Sequence, residues 1–266
     1  MMLSDATFKR YSVWMEQNTG VSLPPSKKTL VQQRLHKRLV ARNVDSLEVY
    51  YRLLTAPEEE AERRIAIDLL TTHETYFFRE PKHFDWLQAL LRRWPPKQPL
   101  RVWCAASSTG EETWSLAMML ADALGIDGDW QLLGSDISDI AIDKARRAHY
   151  SMQRIEGIPA PYLRRFCLKG TGPHQGTMLI QRELRLRAEF ALINLDKPLP
   201  AIGPFDVVFL RNVMIYFKNE TKVAVVERVL SRMNKDGWLV VSHSESLHGM
   251  QLPIKLEAPG VYRKMP

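Results

Sequence analysis

The sequence has few cysteines, no long apolar run and no recognisable targeting segment. Its two cysteines, Cys104 and Cys167, lack the spacing of a zinc site or of a disulfide framework, so we expect reduced thiols and no metal centre. No apolar run reaches the roughly 18 residues of a membrane span, and the N-terminus MMLSDATFKRYS lacks the pattern of a signal peptide. We therefore expect a cytoplasmic protein without membrane insertion.

The chain does have enough apolar residues for a large core, together with an excess of positive charge. Its 266 residues are 45% hydrophobic, which is sufficient for one large domain or two unequal ones. The formal net charge of +7 indicates an acidic partner. Charge alone does not distinguish among nucleic acid, an anionic membrane and an acidic protein surface.

The N-terminal third of the sequence has a helical pattern throughout. Helical spacing continues from Ala6 to Arg93, and a segment rich in proline and charge, LRRWPPKQPL (residues 91–100), follows it. This change of composition predicts an N-terminal all-α domain over residues 1–95 and a second domain over residues 100–266.

One predicted helix of the N-terminal domain carries a row of basic residues. It begins after Pro24 and Pro25, with Ser26 as a candidate cap. Lys27, Arg34 and Arg38 fall at i, i+7 and i+11, so a helix places them on one stripe. Such a stripe is either a solvated face or a surface for an acidic substrate, and its spacing fits both.

The second domain alternates between apolar strands and helices. That alternation predicts an α/β fold with a parallel sheet covered by helices on both faces. Turn residues and short alternating runs over residues 169–187 predict a small antiparallel β insertion, and IKLEAPGVYRKM predicts a hairpin at the sheet edge. The predicted strands are RVWCA, QLLGSDI, EFALINL, FDVVFLRN and GWLVVSHS.

The loop after the first predicted strand, in WCAASSTGEETWS, has acidic residues where a dinucleotide site has glycines. Gly110 is its one glycine, and Glu111 and Glu112 follow it. Carboxylates there repel a pyrophosphate and suit a cofactor with a cationic end, such as S-adenosylmethionine (AdoMet). The pair also has a simpler interpretation, as first-turn acids that complement a helix dipole.

Further candidates stand at the ends of the later strands, where open α/β sheets bind their ligands. Asp136 ends the second strand and either accepts hydrogen bonds from a ribose diol or caps the next helix. The others at the strand ends are Asn194, Leu195, Arg211, Asn212 and residues 242–245.

Six blocks of sequence, in order, resemble the CheR family of chemotaxis protein methyltransferases. That resemblance implies a Rossmann-like AdoMet-dependent methyltransferase fold and methyl transfer from AdoMet to glutamate side chains of chemoreceptor cytoplasmic helices, with S-adenosylhomocysteine as product. The blocks are TTHETYFFREPKHF, WCAASSTGEETWSLAM, GSDI, KGTGPHQG, GPFDVVFLRNVMIYF and GWLVVSHSES.

The same resemblance implies roles for individual residues. Arg79 and Tyr216 would be the catalytic residues, near the reaction centre and the transferring methyl group. Lys27, Arg34 and Arg38 would attract the glutamate-bearing receptor helix, and the β insertion would be the subdomain that, in some members, adds a receptor tail peptide as a strand. The cofactor-binding residues would be His73, Thr75, Arg79, Glu112, Asp136, Asn194, Leu195, Arg211 and Asn212.

The chemistry of methyl transfer to glutamate is consistent with this sequence, but two alternative functions remain open. A glutamate carboxylate is ionised near neutral pH, so its attack on a sulfonium methyl group needs no general base. The alternatives are an AdoMet-binding scaffold without turnover and a methyltransferase of the same fold acting on a small molecule or nucleic acid. Against nucleic acid, no aromatic residues interleave the basic stripe as a base-stacking surface requires.

Overall fold

The N-terminal part of the chain folds into five helices. The computed structural model describes residues 3–95 and 97–266, so Pro96 of the predicted boundary segment lies outside the described residues. None of the described helices is long and apolar enough to cross a membrane. The helices are α1 (Asp5–Thr19), α2 (Lys28–Ala41), α3 (Leu47–Thr55), α4 (Glu60–Leu70) and α5 (Pro81–Leu91).

The start of α2 differs from its prediction. A 3₁₀ turn over Pro25–Lys27 precedes the helix, and no side chain caps either element. Ser26 therefore lies within the turn, and its assignment as the cap is wrong. Proline at the first position of the turn favours this entry, because its fixed φ suits a helical turn and its missing N–H needs no partner.

Helices α1–α4 share one apolar core, and α5 belongs to another. Tyr11, Leu35 and Tyr50 are fully buried in the core of the first four helices. Phe84 and Leu87 of α5 instead pack into the core beneath the sheet. The helical unit that packs on itself is therefore α1–α4, which is shorter than the predicted domain.

The rest of the chain forms a seven-stranded sheet in the order β6-β2-β1-β7-β8-β10-β9. The first five strands in this order are parallel, and the C-terminal hairpin β9–β10 adds antiparallel strands beside β8. The predicted α/β fold and edge hairpin are thereby confirmed. The strands are β1 (Leu100–Cys104), β2 (Trp130–Asp136), β6 (Ala188–Leu192), β7 (Phe205–Phe209), β8 (Met233–Val240), β9 (Ile254–Ala258) and β10 (Val261–Lys264).

Helices cover both faces of this sheet, and the chain changes direction at its middle. From β1 the chain moves outward through β2 and β6, then returns to the other side of β1 through β7 and β8. The carboxyl ends of β1 and β7 therefore border the crevice in which such sheets bind ligands. The helices are α6 (Glu111–Leu124), α7 (Asp139–Arg147), α8 (Ala160–Phe166), α9 (Arg182–Arg185) and α10 (Asn219–Leu230).

A separate three-stranded antiparallel sheet is inserted between β2 and β6. It contains β3 (His149–Ser151), β4 (Cys167–Lys169) and β5 (Thr177–Ile180), in the order β3-β5-β4. The insertion thus begins earlier than residues 169–187, and the second alternating run predicted there is the helix α9. Strands as short as β3 give no readable alternation, which explains the late predicted start.

Candidate active site

A cavity of about 300 Å³ lies at the carboxyl ends of the parallel strands, between the sheet and the helical unit. Segments that follow β1, β2, β6 and β7 form one wall, and segments beside α1, α2 and α4 form the other. The predicted residues that line it are Lys27, His73, Thr75, Arg79, Glu112, Asp136, Asn194, Leu195, Arg211, Asn212 and Tyr216.

Gly110 lets the loop after β1 turn into α6. Its φ of 96° lies in the left-handed region, which glycine adopts without steric cost. A Cβ atom there would lie 2.7 Å from the Cβ of Ala145 and 2.9 Å from the hydroxyl of Tyr150. The glycine therefore serves close packing of the loop against α7 and the insertion, not the approach of a phosphate.

Asp136 is held at the cavity wall by backbone N–H groups. Its Oδ2 accepts from Ser108 N at 2.8 Å, and its Oδ1 accepts from Ser138 N at 3.0 Å. Burial raises the pKa of Asp136, and the N–H of Ser138 opposes that rise. The cap of α7 is Ser138, whose Oγ accepts from Ala141 N, so of the two interpretations the geometry favours a carboxylate facing the cavity.

Glu112 is paired with a buried arginine. Its Oε2 lies 2.5 Å from Nη1 of Arg211, and its Oε1 accepts from Cys104 Sγ at 3.3 Å. The second Nη of Arg211 donates to the carbonyl of Arg79 at 2.6 Å and lies 3.3 Å from Oε2 of Glu80. Glu112 therefore lies at the cavity wall with its charge paired to Arg211, a partner that the sequence did not indicate.

Glu111 faces away from the cavity and is completely buried. Thr109 Oγ1 donates to its Oε2 at 2.6 Å, and Nη2 of Arg154, from the insertion, lies 3.3 Å from its Oε1. Burial raises the pKa of Glu111. Neighbouring residues on a helix point about 100° apart. The insertion covers the face of α6 that bears Glu111, which lies in the first turn of that helix, as its simpler interpretation expected.

The segment between α4 and α5 crosses the cavity without helical structure, contrary to the predicted continuous helical pattern. In it, Nε2 of His73 lies 3.2 Å from Oδ1 of Asp68. Burial lowers the pKa of His73, but the hydrogen bond to Asp68 and the charge of Asp136 raise it overall. Arg79 donates through Nη1 to the carbonyl of Glu74 at 3.0 Å, and Arg154 donates to the carbonyl of Thr75 at 3.1 Å.

Glu245, which the sequence indicated only as one of the strand-end residues 242–245, organises the loop after β7. Its carboxylate accepts from the backbone N–H of Asn212 at 2.8 Å, of Ile215 at 3.2 Å and of Ser242 at 3.2 Å. Asn212 has a φ of 57°, so its backbone is in the left-handed region that this carboxylate stabilises. The one sequence feature that pointed to Glu245 was its position in HSES, directly after a predicted strand.

Hydrogen bonds join the helical unit to the segments that follow β6 and β7. Asn194 donates through Nδ2 to the carbonyl of Asn18 at 2.7 Å, and its Oδ1 accepts from Asp196 N at 2.9 Å. The carbonyl of Tyr216 accepts from Ser22 N at 2.8 Å. The carbonyl of Leu195 accepts from Arg228 at 3.0 Å. Asn194 and Tyr216 therefore hold the two walls together as well as lining the cavity, whereas the Leu195 contact lies within the sheet domain.

The basic stripe on α2 does not form a free charged face. Arg34 donates to the carbonyls of Leu69 at 3.1 Å and Thr71 at 2.6 Å, at the end of α4. Arg38 makes a two-pronged pair with Glu62, with both distances 2.8 Å. Neither arginine lines the cavity, whereas the exposed Lys27 does. Because two of the three basic groups bind within the helical unit, the predicted stripe is reduced to Lys27 at the cavity.

The cavity lies at the switch point of an open α/β sheet, where such sheets bind nucleoside ligands, and the carboxylates of Glu112 and Asp136 line it. Comparison with known families agrees. The model of the CheR methyltransferase, SAM binding domain, matches residues 73–259, and that of the CheR methyltransferase, all-alpha domain, matches residues 6–71. The chain belongs to the CheR methyltransferase family.

Curated relatives span nearly the same length. The chemotaxis protein methyltransferase of Salmonella typhimurium is 38% identical over 264 residues, which are 98% of this chain and 91% of the relative. Chemotaxis protein methyltransferase 2 of Pseudomonas aeruginosa is 41% identical over 86% of this chain and 82% of its own. The relative in Borreliella burgdorferi is 31% identical over 93% and 90%.

The chain is thus an AdoMet-dependent methyltransferase, and its cavity fits that cofactor. AdoMet has a sulfonium, an ammonium and a carboxylate group but no phosphate, so it needs both acidic and basic partners. The cavity wall offers the carboxylates of Asp136 and Glu112 and the guanidinium groups of Arg79 and Arg211.

Proposed function

We propose that this enzyme transfers the methyl group of AdoMet to glutamate side chains of a chemoreceptor cytoplasmic domain, giving glutamate methyl esters in chemotactic adaptation. The named activity of its relatives supports the reaction class. The observation that carries the proposal is the pairing of a nucleoside-sized cavity with cationic side chains, Lys27 and Arg79, at its wall. These would attract an acidic side chain.

Within the cavity we assign the cofactor to residues held by the strand ends and by the crossing segment. Asp136 would accept from the ribose hydroxyls, because it lines the cavity at the end of β2 and backbone N–H groups hold its carboxylate in place. The Glu112–Arg211 pair would hold the amino acid end of AdoMet, with an acid for its ammonium group and a base for its carboxylate. Further contacts are assigned to His73, Thr75, Asn194, Leu195 and Asn212.

For the transfer step, AdoMet supplies an activated methyl group, and the protein has to bring the substrate carboxylate in line with it. Tyr216 and Arg79 lie at the cavity and would orient that carboxylate. Proton abstraction is unnecessary because a glutamate is ionised near neutral pH. The placement of the carboxylate and the exclusion of water would therefore account for catalysis.

The two parts of the chain would then have different tasks. Helices α1–α4 would face the receptor, and the sheet with its covering helices, from about residue 100, would hold the cofactor. The receptor tail peptide would add to an edge of the inserted sheet, where β4 has an exposed Leu168. Such a partner would place the enzyme in the cytoplasm.

A labelling assay tests the reaction. We expect base-labile label on glutamates of a receptor cytoplasmic fragment after incubation with methyl-labelled AdoMet, and none on a fragment whose methylation-site glutamates are replaced by glutamine. Tight AdoMet binding without transfer to receptor fragments would instead identify a scaffold.

A charge reversal tests the substrate surface. Lys27→Glu should lower the rate of receptor methylation severalfold at low salt and leave AdoMet affinity unchanged. Lys37→Glu is the matched control, because Lys37 is exposed on α2, the helix that directly follows Lys27, but does not line the cavity. Equal rates for the two variants would contradict the assignment of Lys27.

A further inference from the structure

A cluster of possible metal ligands lies beside the cofactor cavity. Glu80, His83 and His243 each place a ligand atom within 4.8 Å of the others. They are far apart in the sequence: Glu80 directly precedes α5, His83 lies in its first turn and His243 lies in the loop after β8. Sequence spacing gave no sign of this cluster, because its members meet only in the folded chain.

The imidazole of His83 is buried and turns an unpartnered atom toward the cluster. The residue is 1% exposed, and its Nε2 lies 3.3 Å from the carbonyl of Pro259. Since a carbonyl only accepts, Nε2 carries the proton of the neutral ring, and Nδ1 keeps a lone pair. Nδ1 has no hydrogen-bond partner among the described residues. A hydrogen bond from the far nitrogen to a backbone carbonyl is also how proteins orient a metal-binding histidine.

That lone pair faces another acceptor. Nδ1 of His83 lies 3.4 Å from Oε2 of Glu80, and Nε2 of His243 lies 4.0 Å from the same oxygen. Two acceptors in contact are unfavourable unless a proton or a cation lies between them. Metal–ligand bonds of about 2.0–2.2 Å in a tetrahedral site separate the ligand atoms by roughly 3.4 Å, so small rotations bring all three into range.

The charges near the cluster favour a cation. Arg211 lies 3.3 Å from Glu80, but Glu112 pairs with the same guanidinium at 2.5 Å, so the group of Glu80, Glu112 and Arg211 keeps one net negative charge.

We propose that Glu80, His83 and His243 form a binding site for a divalent transition metal ion, with Zn²⁺ as the preferred occupant. Two imidazoles and one carboxylate suit Zn²⁺, and three protein ligands leave a coordination position for water. His243 has a side chain that is 40% exposed, so the ion has a route from solvent. This site is distinct from the cofactor cavity, since neither histidine lines that cavity.

Titration of the full, tag-free, chelator-treated chain with Zn²⁺ and Co²⁺ tests this proposal. We expect one ion per chain by calorimetry, a visible Co²⁺ absorption band typical of a low-coordinate site, and a higher melting temperature with Zn²⁺. His243→Ala should lose at least about tenfold in affinity, or about 1.4 kcal/mol. Because His243 is at the surface, that variant should keep its fold.

The matched control is His149→Ala in the inserted sheet, where His149 and His174 form a second histidine pair with ring centroids 5.9 Å apart. This variant should bind Zn²⁺ like the parent. Absence of saturable binding, or equal affinity in His243→Ala and the parent, would overturn the proposal. Loss of Zn²⁺ binding in His149→Ala, with binding retained in His243→Ala, would assign the ion to the inserted sheet. That result would also overturn the proposal.

Discussion

Two buried pairs of a glutamate and an arginine have the same chemistry in two regions of the molecule. In the helical unit, Glu62 is 2% exposed and takes two hydrogen bonds from Arg38 and a third from the hydroxyl of Tyr50 at 2.6 Å. Beneath the cavity, Glu112 pairs with Arg211, and both line the space assigned to the cofactor.

The two pairs differ in whether their charged groups lie where a ligand can contact them. Within the helical unit, both oxygens of Glu62 are satisfied by groups of that unit. Burial raises the pKa of Glu62, but the hydrogen bonds from Arg38 and Tyr50 lower it overall. In the second pair, Glu112 and Arg211 both line the cavity. A buried ion pair is therefore no mark of a functional site by itself, and access to a cavity distinguishes the two.

The largest expected effect is a loss of folding stability that leaves AdoMet affinity nearly unchanged. Glu62→Ala leaves Arg38 without its buried partner, so the free energy of unfolding should fall by about 3–5 kcal/mol. Urea denaturation measures this loss. AdoMet affinity of the folded variant should stay within about twofold of the parent. Glu48→Ala, which removes an exposed partner of Arg52, is the control and should cost under about 1 kcal/mol. A large loss of AdoMet affinity in Glu62→Ala would break the comparison.

The next effect concerns the ribose assignment. Asp136→Ala should weaken AdoMet binding by about 1.5–3 kcal/mol, the range for hydrogen bonds to a charged group. Calorimetry of the purified protein measures this change. Asp139→Ala is the control, because Asp139 lies in the first turn of α7 but does not line the cavity. Normal affinity in Asp136→Ala would contradict the assigned role.

A smaller effect distinguishes the adjacent acids. Glu112→Gln keeps the shape of the side chain and removes the charge, so AdoMet affinity should fall about tenfold, or about 1.4 kcal/mol. Glu111→Gln should leave AdoMet affinity nearly unchanged, because Glu111 faces Arg154 and the insertion. The opposite order of effects would reverse the assignment of the two side chains.

The smallest effect is a pH dependence at the border of the two regions. The pKa of His73 is raised above its usual value of 6.5, despite burial, by the hydrogen bond to Asp68 and by the charge of Asp136. The protonated form is thus favoured by folding, so this stabilisation is complete below pH 6.5 and is lost as the pH rises through the folded-state pKa.

His73→Gln removes that dependence. Its stability should differ from the parent by under about 1 kcal/mol in acid, and the difference should shrink as the pH rises. Denaturation at a series of pH values, without cofactor, measures the difference. A gap that widens with increasing pH would contradict the ion pair with Asp68.

Much of the fold was predictable, because its signals are local. Apolar strands, helical spacing and turn residues placed the parallel sheet, the C-terminal hairpin and an insertion before β6. The candidates at strand ends, such as Asp136 and Arg211, also followed from a general rule, since parallel strands bring their carboxyl ends to one edge. The start of α2 and the early strand β3 were missed, because a 3₁₀ turn and a strand of three residues carry little pattern.

The remaining features depend on contacts between residues far apart in the chain. The sequence by itself determined the fold class, the acidic first loop and the family resemblance. Only the tertiary structure decided that Arg38 pairs with Glu62, that Arg211 neutralises Glu112 and that Glu245 holds the loop of Asn212. The sequence does not show which groups a charged side chain contacts. Hydrogen bonds and ion pairs act over a few ångströms, and only folding brings distant residues within that range.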